Sequence, residues 1–452
     1  MLLLFFLLSL PIVIWLYFLH VNGKPVRNLV PPGPPGLPLI GNLHQLATAK
    51  NIHIYLRQVS TKHGPLVHMK LGSKPLLVIS SVKLAKEVLR TQDLAFCSRP
   101  KHLGQQRLCY NGLDIVFSPY NDYWKEVRKI AVVNLFTPQK VQSFRPVRED
   151  EISRMVTKIL GFCNRVVDLS EMATALGSNL ICRIAFGKRY DEHGSEMRRF
   201  DELELIDEHV HRKKEAERAD DILDILIKLK EHKSCSIDLN WDNIKALLLD
   251  IFVAGTHSTS TTIVWAMTAL MKAPKVMEKA QSEIRNLIGE RRKVDEDDLH
   301  KLPYLKAIIN ETLRLYPPVP LLVPRETIDK CTLQGYEIQP KTAVYVIAWA
   351  IARDPEYWQN PDEFMPERFL NNNIDIKGQD FEVIPFGSGR RICPGMYMGL
   401  ANVELTVANL LYSFDWELPP GIEAKDVDTD ALPGVAIRKK NALFLVPNMY
   451  AM

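Results

Sequence analysis

Several features that would each point to a protein class are missing from this chain. Its 452 residues include seven cysteines, Cys97, Cys109, Cys163, Cys182, Cys235, Cys331 and Cys393, and no two of them stand at a paired spacing. An odd, scattered set argues against a disulfide framework and for a reducing compartment. Charge of one sign is also scarce: 57 Lys and Arg face 53 Asp and Glu, a net +4. That excess is too small to argue for nucleic acid, although a local basic face would suit an acidic partner or anionic lipid. No second cysteine or histidine stands near Cys393 at zinc-ligand spacing, so a zinc centre is not supported there. Gly387-x-Gly389 does not open a dinucleotide fingerprint, because the sixth position is Ile392 and no strand–helix unit surrounds it.

Hydrophobic residues make up 46% of the chain, enough for a large core in one big domain or two fused lobes. Met1 to Leu19 is almost wholly apolar, interrupted mainly by Ser9 and Pro11. About 20 such residues span a bilayer as a helix. Trp15 and Tyr17 sit near one end and Lys24 and Arg27 follow, which places the bulk of the protein in the cytosol. A removable leader needs a basic start and a small-residue cleavage site, and neither is clear here. The reading is therefore an uncleaved anchor over residues 1–22, a proline-rich hinge over 23–40 and a catalytic domain over 41–452. Pro31-Pro32-Gly33-Pro34-Pro35-Gly36-Leu37-Pro38 predicts an extended, semi-rigid spacer.

Leu66–Met69 and Leu76–Ile79, separated by Gly72-Ser73-Lys74-Pro75, predict a hairpin. From Val82 onward the pattern is mainly helical. Trp124 and Arg128 lie four apart on one helix face, with Lys125 and Lys129 on the neighbouring face. Asn240 is a candidate N-cap for a helix running to about Met271 and stopped by Pro274. Roughly 30 residues at 1.5 Å each cross about 45 Å, a whole domain. Ala246 to Ala254 is apolar apart from Asp250, so this helix should be buried nearly all round. Midway, its apolar stripe gives way to Gly255, Ser258, Thr259 and Thr262. Such a patch can loosen the helical ladder and make room for a small ligand, or simply let helices pack closely. Pro303 to Tyr316 predicts a further helix carrying Glu311 and Arg314 on one face, and Tyr336 to Val346 a strand–turn–strand.

Pro385-Phe386-Gly387-Ser388-Gly389-Arg390-Arg391-Ile392-Cys393-Pro394-Gly395 is a glycine-rich turn leading into an apolar helical run, Met396 to Leu411. Glycines allow a tight turn and close approach to a flat object. A cysteine at a helix N-terminus meets unpaired N–H groups that favour the thiolate, a soft metal ligand. One such thiolate fits a haem iron. The spacing Phe386-x-x-Gly389-x-Arg391-x-Cys393-x-Gly395 resembles the haem-binding signature of cytochrome P-450 enzymes in full. Together with the proline hinge, it resembles the plant microsomal members.

The resemblance implies a mainly α fold with a small β region, the cytochrome P-450 fold, preceded by an N-terminal transmembrane helix. It implies Cys393 as the ligand to the iron of haem b (iron protoporphyrin IX), with Phe386, Gly389, Arg391 and Gly395 in the loop around it. Trp124 and Arg128 match the pair that reaches a haem propionate, and Arg325 matches a position that often contacts one. Lys125 and Lys129 would join a basic face that meets the reductase. Glu311 and Arg314, completed by Arg368 of Pro366-Glu367-Arg368-Phe369, match a Glu–Arg–Arg triad that holds the cysteine loop. The implied activity is a haem-thiolate monooxygenase at the endoplasmic reticulum membrane. It would take NADPH electrons through NADPH–cytochrome P-450 reductase and insert one atom of O₂ into a small lipophilic substrate of specialised metabolism. Substrate would be touched by segments 104–115, 252–259, 318–323 and 432–435.

Two departures stand against the pattern. The oxygen-activating segment usually reads Ala-Gly-x-Asp/Glu-Thr, and here it reads Ala254-Gly255-Thr256-His257-Ser258, followed by Thr259. His257 replaces the acid and Ser258 the threonine, so the hydroxyl survives while proton supply would pass to a histidine. Between Tyr190 and Ile222 there is no room for the two long helices and loop that roof the family's pocket, which need roughly 40 residues. The expectation is a deletion or splice product near Arg199 to Glu204. These departures keep two alternatives open: a haem-thiolate isomerase or dehydratase that needs neither NADPH nor O₂, and an impaired form that only binds haem.

Overall fold

The long helix expected after Asn240 is the axis around which the other elements are arranged. In this computed structural model residues 30–189, 220–233, 235–370 and 374–450 are described, with the single positions Pro11 and Asn372. The principal helices are α1 (Ile52–His63), α2 (Asp122–Ile130), α3 (Arg145–Leu160), α4 (Leu169–Phe186), α5 (Ile222–Glu231), α6 (Trp241–Lys272), α7 (Pro274–Ile288), α8 (Pro303–Leu315) and α9 (Met396–Ser413). Nine short strands complete the described fold: β1 (Leu66–Leu71), β2 (Lys74–Ile79), β3 (Val167–Asp168), β4 (Arg325–Glu326), β5 (Cys331–Leu333), β6 (Tyr336–Ile338), β7 (Ala343–Val346), β8 (Phe414–Glu417) and β9 (Phe444–Met449). Mainly helical with small sheets, this is the predicted fold class.

Helix α6 begins where the sequence places it. The Asn240 side chain accepts the Asn243 amide at 3.0 Å and Asn243 Oδ1 accepts the Asn240 amide at 2.8 Å, a reciprocal cap. It stops at Ala273 because Pro274 opens α7. Among the described residues it is the one helix long and apolar enough to cross a membrane, but most of that stretch is buried inside the protein. Its apolarity is that of a core helix.

Helix α6 is continuous from end to end, so the expected loosening at Gly255 does not occur. Glycine has a packing reason instead. A Cβ on Gly255 would stand 2.5 Å from Ile181 Cδ1 of α4, and one on Gly177 of α4 would stand 2.8 Å from the Thr256 carbonyl. The two helices touch through reciprocal glycines.

The C-terminal half of α6 joins α3, α4, α7, α8 and α9 in the largest apolar cluster, around residues such as Leu180, Met267, Ile308 and Leu410. Its N-terminal half joins α5 and the segment after α2 in a second cluster, around Val127, Leu226 and Leu247. The predicted hairpin pairs antiparallel from Leu66↔Ile79 to Leu71↔Lys74. It is the edge of a sheet ordered β1-β2-β7-β4. The stretch 336–346 does hold two strands, but they do not form one hairpin: β6 pairs with β5, while β7 runs parallel to β2. A parallel partner more than 250 residues away in sequence leaves no local signature.

The proline-rich segment is less of a free spacer than its composition predicts. The His68 amide of β1 donates to the Pro32 carbonyl at 2.8 Å, and Asn42 Nδ2 donates to the Pro34 carbonyl at 3.2 Å. A Cβ at Gly33 would lie 1.8 Å from the His68 carbonyl oxygen. Residues 31–42 are thus laid against the sheet. The predicted anchor, apart from Pro11, and the predicted deletion near Arg199 to Glu204 lie outside the described residues.

Candidate active site

Three elements meet at the site: the turn before α9, the middle of α6, and the loop between Cys97 and α2. In the turn, Gly387 and Gly389 take φ of 70° and 71°, a region that favours glycine. Gly389 is also pressed on Leu89, whose carbonyl oxygen would be 2.0 Å from an added Cβ. Gly395 differs, since a Cβ there would meet only Phe136 Cε1 at 3.9 Å. The Cys393 amide donates to the Phe386 carbonyl at 3.0 Å and closes the turn. Phe386 packs half-buried on the main core.

Cys393 precedes Gly395, which caps α9. Burial pushes its thiol pKa up, opposed by the Gly395 amide and the Arg128 guanidinium. The amide at the helix end acts toward the thiolate while burial acts against it, and a bound metal ion, by displacing the proton, would tip the balance to the thiolate.

Around this turn lies a set of buried guanidinium groups. Arg391 donates to the carbonyls of Cys97, Ile115 and Ser118 at 2.8, 3.2 and 2.7 Å, and lies over the Trp124 ring at 3.8 Å. Arg325 bonds Asp93 at 2.7 Å and the Ser388 carbonyl at 2.8 Å. Arg99 donates to the carbonyls of Val116, Val323 and Pro324 at 2.8, 2.6 and 2.7 Å. Arg128 reaches the Ile392 carbonyl. Burial, then the neighbouring Arg325 and Arg128 charges, push the Arg391 pKa down to about 9. Burial, then Arg391 and Arg325, push Arg99 far below its usual value. Arg99, Arg128, Arg325 and Arg391, with the exposed Arg390 on Asp93 at 3.5 Å, outnumber the nearby acids Asp93, Asp114 and Asp250, so the cluster is short of negative charge.

Trp124 does not point an unoccupied donor at this cluster: its Nε1 donates to the Ile115 carbonyl at 2.9 Å. Lys125 and Lys129 are exposed, but each pairs with an acid on its own helix, Asp122 at 2.8 Å and Glu126 at 3.8 Å. The basic face is thus partly neutralised.

On α6 the burial pattern breaks in the middle. Ile244 to Ile251 and Thr259 to Met271 are mostly buried, yet Val253 is 49% exposed, Ala254 is exposed, and His257 and Ser258 are half-exposed. Ser258 Oγ donates to the Ala254 carbonyl at 2.7 Å, back onto its own helix. Thr259 is buried. Thr256 Oγ1 is buried with no hydrogen-bond partner. Burial first, then the Arg438 charge, push His257 below the usual histidine range, so its imidazole is neutral at neutral pH.

The three triad residues meet as the resemblance implies, and the Glu311–Arg314 pair is buried. Glu311 and Arg314 are fully buried and paired at 2.6 and 2.8 Å, and Arg368 Nε adds a contact to Glu311 at 3.3 Å. Arg314 also donates to the carbonyls of Ala352 and Pro361. Sequence reasoning missed Arg99, Asp93 and Asp250. Only Asp250 carried a signal, as the single charge in an apolar run.

These features test the cofactor. A haem presents two carboxylates at its edge, a flat apolar body and an iron that accepts one thiolate. An anion-poor guanidinium cluster, an exposed apolar patch on a core helix and Cys393 ahead of a helix N-terminus match those three needs. The fold and site define a haem-thiolate oxidoreductase.

Comparison with known proteins narrows this. The family model for Cytochrome P450 matches residues 31–204 and 203–446. A 6,7,8-trihydroxycoumarin synthase from Pastinaca sativa is 45% identical, covering 99% of this chain and 98% of that protein. A 5-OH-xanthotoxin synthase from Ammi majus is 45% identical over 96% of each chain. A solved zebra fish cytochrome P450 structure with abiraterone superposes with a TM-score of 0.79 at 25% identity, covering 89% of this chain and all of that one. The chain belongs to the cytochrome P450 family and is a haem-thiolate monooxygenase of the plant type. The alignment to the Pastinaca protein runs over 502 positions against a chain of 452, so at least 50 positions there have no counterpart here. The family match itself breaks at residues 203–204.

Proposed function

We propose that this chain inserts one atom of O₂ into a small aromatic, coumarin-like substrate, with electrons from NADPH delivered by a membrane-bound reductase. The observation that carries the reading is the buried Arg99–Arg325–Arg391 cluster beside the Cys393 turn, whose shortage of anions two haem propionates would make good. Cys393 would ligate the iron, Arg128, Arg325 and Arg391 would face the propionate edge, and Phe386, Gly389 and Gly395 would shape the turn. Bound in this way, haem supplies oxygen activation, assisted by electron donation from the thiolate. The half-exposed stretch Val253 to Ser258 would wall the substrate side, with Gly255 fixing its distance from α4 and Ser258 and Thr259 supplying hydroxyls. His257 would move protons there only if its neutral imidazole is recharged in turnover. The coumarin-like class rests on the products named for the Pastinaca and Ammi relatives. The apolar start of the chain supports a single-pass anchor at the endoplasmic reticulum, with the catalytic domain cytosolic and lipid as a further partner.

The break at residues 203–204 supports a second reading, an enzyme that binds haem but couples electron flow poorly because its pocket roof is shortened. One experiment separates the two. The full chain, expressed with haem, should give the red-shifted CO-bound Soret band of thiolate ligation when reduced. With reductase and a hydroxycoumarin, product should form only when NADPH and O₂ are both present. A normal CO band with NADPH consumption but no product supports the shortened-roof reading. Absence of the band defeats both, and product without NADPH or O₂ would point to isomerase or dehydratase chemistry.

A further inference from the structure

A single carboxylate joins Arg325 to the turn that carries Cys393. Asp93 opens the short helix Asp93–Phe96 and is buried. Its Oδ1 accepts Arg325 Nη1 at 2.7 Å, and its Oδ2 accepts the Arg390 amide at 2.9 Å. The exposed Arg390 guanidinium adds a longer contact to Oδ2 at 3.5 Å. Arg325 closes the circuit by donating to the Ser388 carbonyl at 2.8 Å. Two residues of the turn, Ser388 and Arg390, are therefore held by one ion pair. Gly389 between them makes room for it, since an added Cβ would stand 3.0 Å from Asp93 Cγ and Oδ2. Among the described residues Asp93 is the one acid paired with Arg325.

The backbone behind Asp93 is fixed as well. The Ile328 amide donates to the Ala95 carbonyl at 2.8 Å, and the Glu326 amide of β4 to the Ser98 carbonyl at 2.9 Å. Arg391 Nε donates to the Cys97 carbonyl at 2.8 Å. Residues 93–98 thus form a wedge between β4 and the cysteine turn. A carboxylate whose two oxygens serve donors on two different elements fixes the position of one against the other. We propose that Asp93 is a positioning residue for the haem, setting the Cys393 turn against Arg325 and holding a negative charge between them. This rests on Cys393 as iron ligand and Arg325 at the propionate edge, as proposed above, and adds a residue that acts through both. Two effects follow. A negative charge near the haem opposes the electron that reduction adds, so removing it favours the reduced iron. A turn freed at Arg390 also lets the Cys393 sulfur take up a proton and leave the metal more easily.

The test uses the haem-loaded full chain, without turnover, and reads two quantities. One is the reduction midpoint of the haem, and the other is the lifetime of the red-shifted CO band in the reduced protein. Asp93→Asn keeps the shape and loses the charge. Its midpoint should rise by about 59 mV, about tenfold in the one-electron reduction equilibrium, and its CO band should decay severalfold faster. Asp93→Glu keeps the charge at a longer reach, so the midpoint should return toward wild type while the band still decays faster. Arg390→Gln removes only the exposed 3.5 Å contact and should move the band lifetime less than about twofold, well short of the Asp93 variants. An unchanged midpoint in Asp93→Asn, or an equal rise in Asp93→Glu, overturns the proposal and leaves Asp93 a structural role only. Where Asp93→Asn yields no haem-loaded protein, Asp93→Glu decides, because a wild-type band lifetime there overturns the positioning. If wild-type protein itself lacks the red-shifted CO band, the Cys393 reading fails first and this inference falls with it.

Discussion

Asp250 Oδ2, in the middle of α6, accepts the Ile115 amide at 2.7 Å. It also takes the Val116 amide at 3.3 Å, while Asp114 Oδ2 takes that of Phe117 at 2.6 Å. The carbonyls of the same short segment face the opposite way, toward Arg99, Trp124 and Arg391. One strip of backbone thus has acids on its amide side and cations on its carbonyl side. Through it the central helix is tied to the guanidinium cluster.

This tie should titrate. Burial, then the Asp114 charge, push the Asp250 pKa up to about 8, well above the unfolded value near 4. The folded state then holds a proton that the unfolded state has released, so stability is full below about pH 4 and is lost as pH rises toward 8. The slope attributable to Asp250 is at most about 1.4 kcal/mol per pH unit. Urea midpoints of the haem-loaded protein should fall between pH 6 and 8.5, and Asp250→Asn should flatten that fall. Asp250→Ala strands two buried amides and should cost about 1–3 kcal/mol at every pH. An unchanged slope in Asp250→Asn would show that other groups set the pH dependence.

The buried triad makes a harder prediction. Removing Glu311 leaves Arg314 charged at zero exposure, a loss of about 3–5 kcal/mol by analogy with other buried pairs. Glu311→Ala should yield little protein with a thiolate-type CO spectrum, because Arg314 also holds the 352–363 segment that leads to Arg368. Arg368→Ala removes the longer contact to Glu311 together with exposed bonds to the Gln359 and Asn360 carbonyls and should cost less, about 1–2 kcal/mol. The loss of the red-shifted CO band of the reduced protein, followed against temperature, ranks the variants. Equal behaviour of the two would mean the triad is not organised around Glu311.

How far the sequence reveals this molecule depends on whether the signal is local. The Asn240 cap, the Pro274 stop, the 66–79 hairpin and the helix from Pro303 are local, and each stands within a residue or two of its expected place. The Cys393 signature is local too. By contrast, Glu311 and Arg314 three apart look like any surface pair, and only tertiary packing buries them completely. The 336–346 stretch divides between two sheets because β7 finds its partner in β2, far away in the chain. Arg99 has no distinguishing neighbour in sequence, and its role exists only because Val323 and Pro324 arrive from the other side of the fold.

Gly255 gives a prediction that separates packing from chemistry. Alanine there would bring its Cβ within 2.5 Å of Ile181 Cδ1 and 2.8 Å of Cγ1, an overpacking that costs about 1–3 kcal/mol. If that contact is the whole reason for glycine, Ile181→Val should recover part of the loss, with a coupling of about 0.5–3 kcal/mol in the double-mutant cycle. Thermal melts of the four proteins give this number directly. Additive losses would place the cost of Gly255→Ala elsewhere, on the ligand side of α6.

The last prediction concerns the two substituted positions on α6. Ser258 Oγ is already bonded to the Ala254 carbonyl, and His257 is neutral at neutral pH, so neither offers a ready proton on the exposed face. A carboxylate at 257 and a threonine at 258 would restore the arrangement seen in other members of the family. With reductase present, His257→Asp combined with Ser258→Thr should raise the product formed per NADPH consumed by several-fold, with less peroxide released. A neutral ether of a hydroxycoumarin serves as substrate, so that substrate ionisation does not enter the result. Unchanged coupling would mean that proton supply is not limited at these positions.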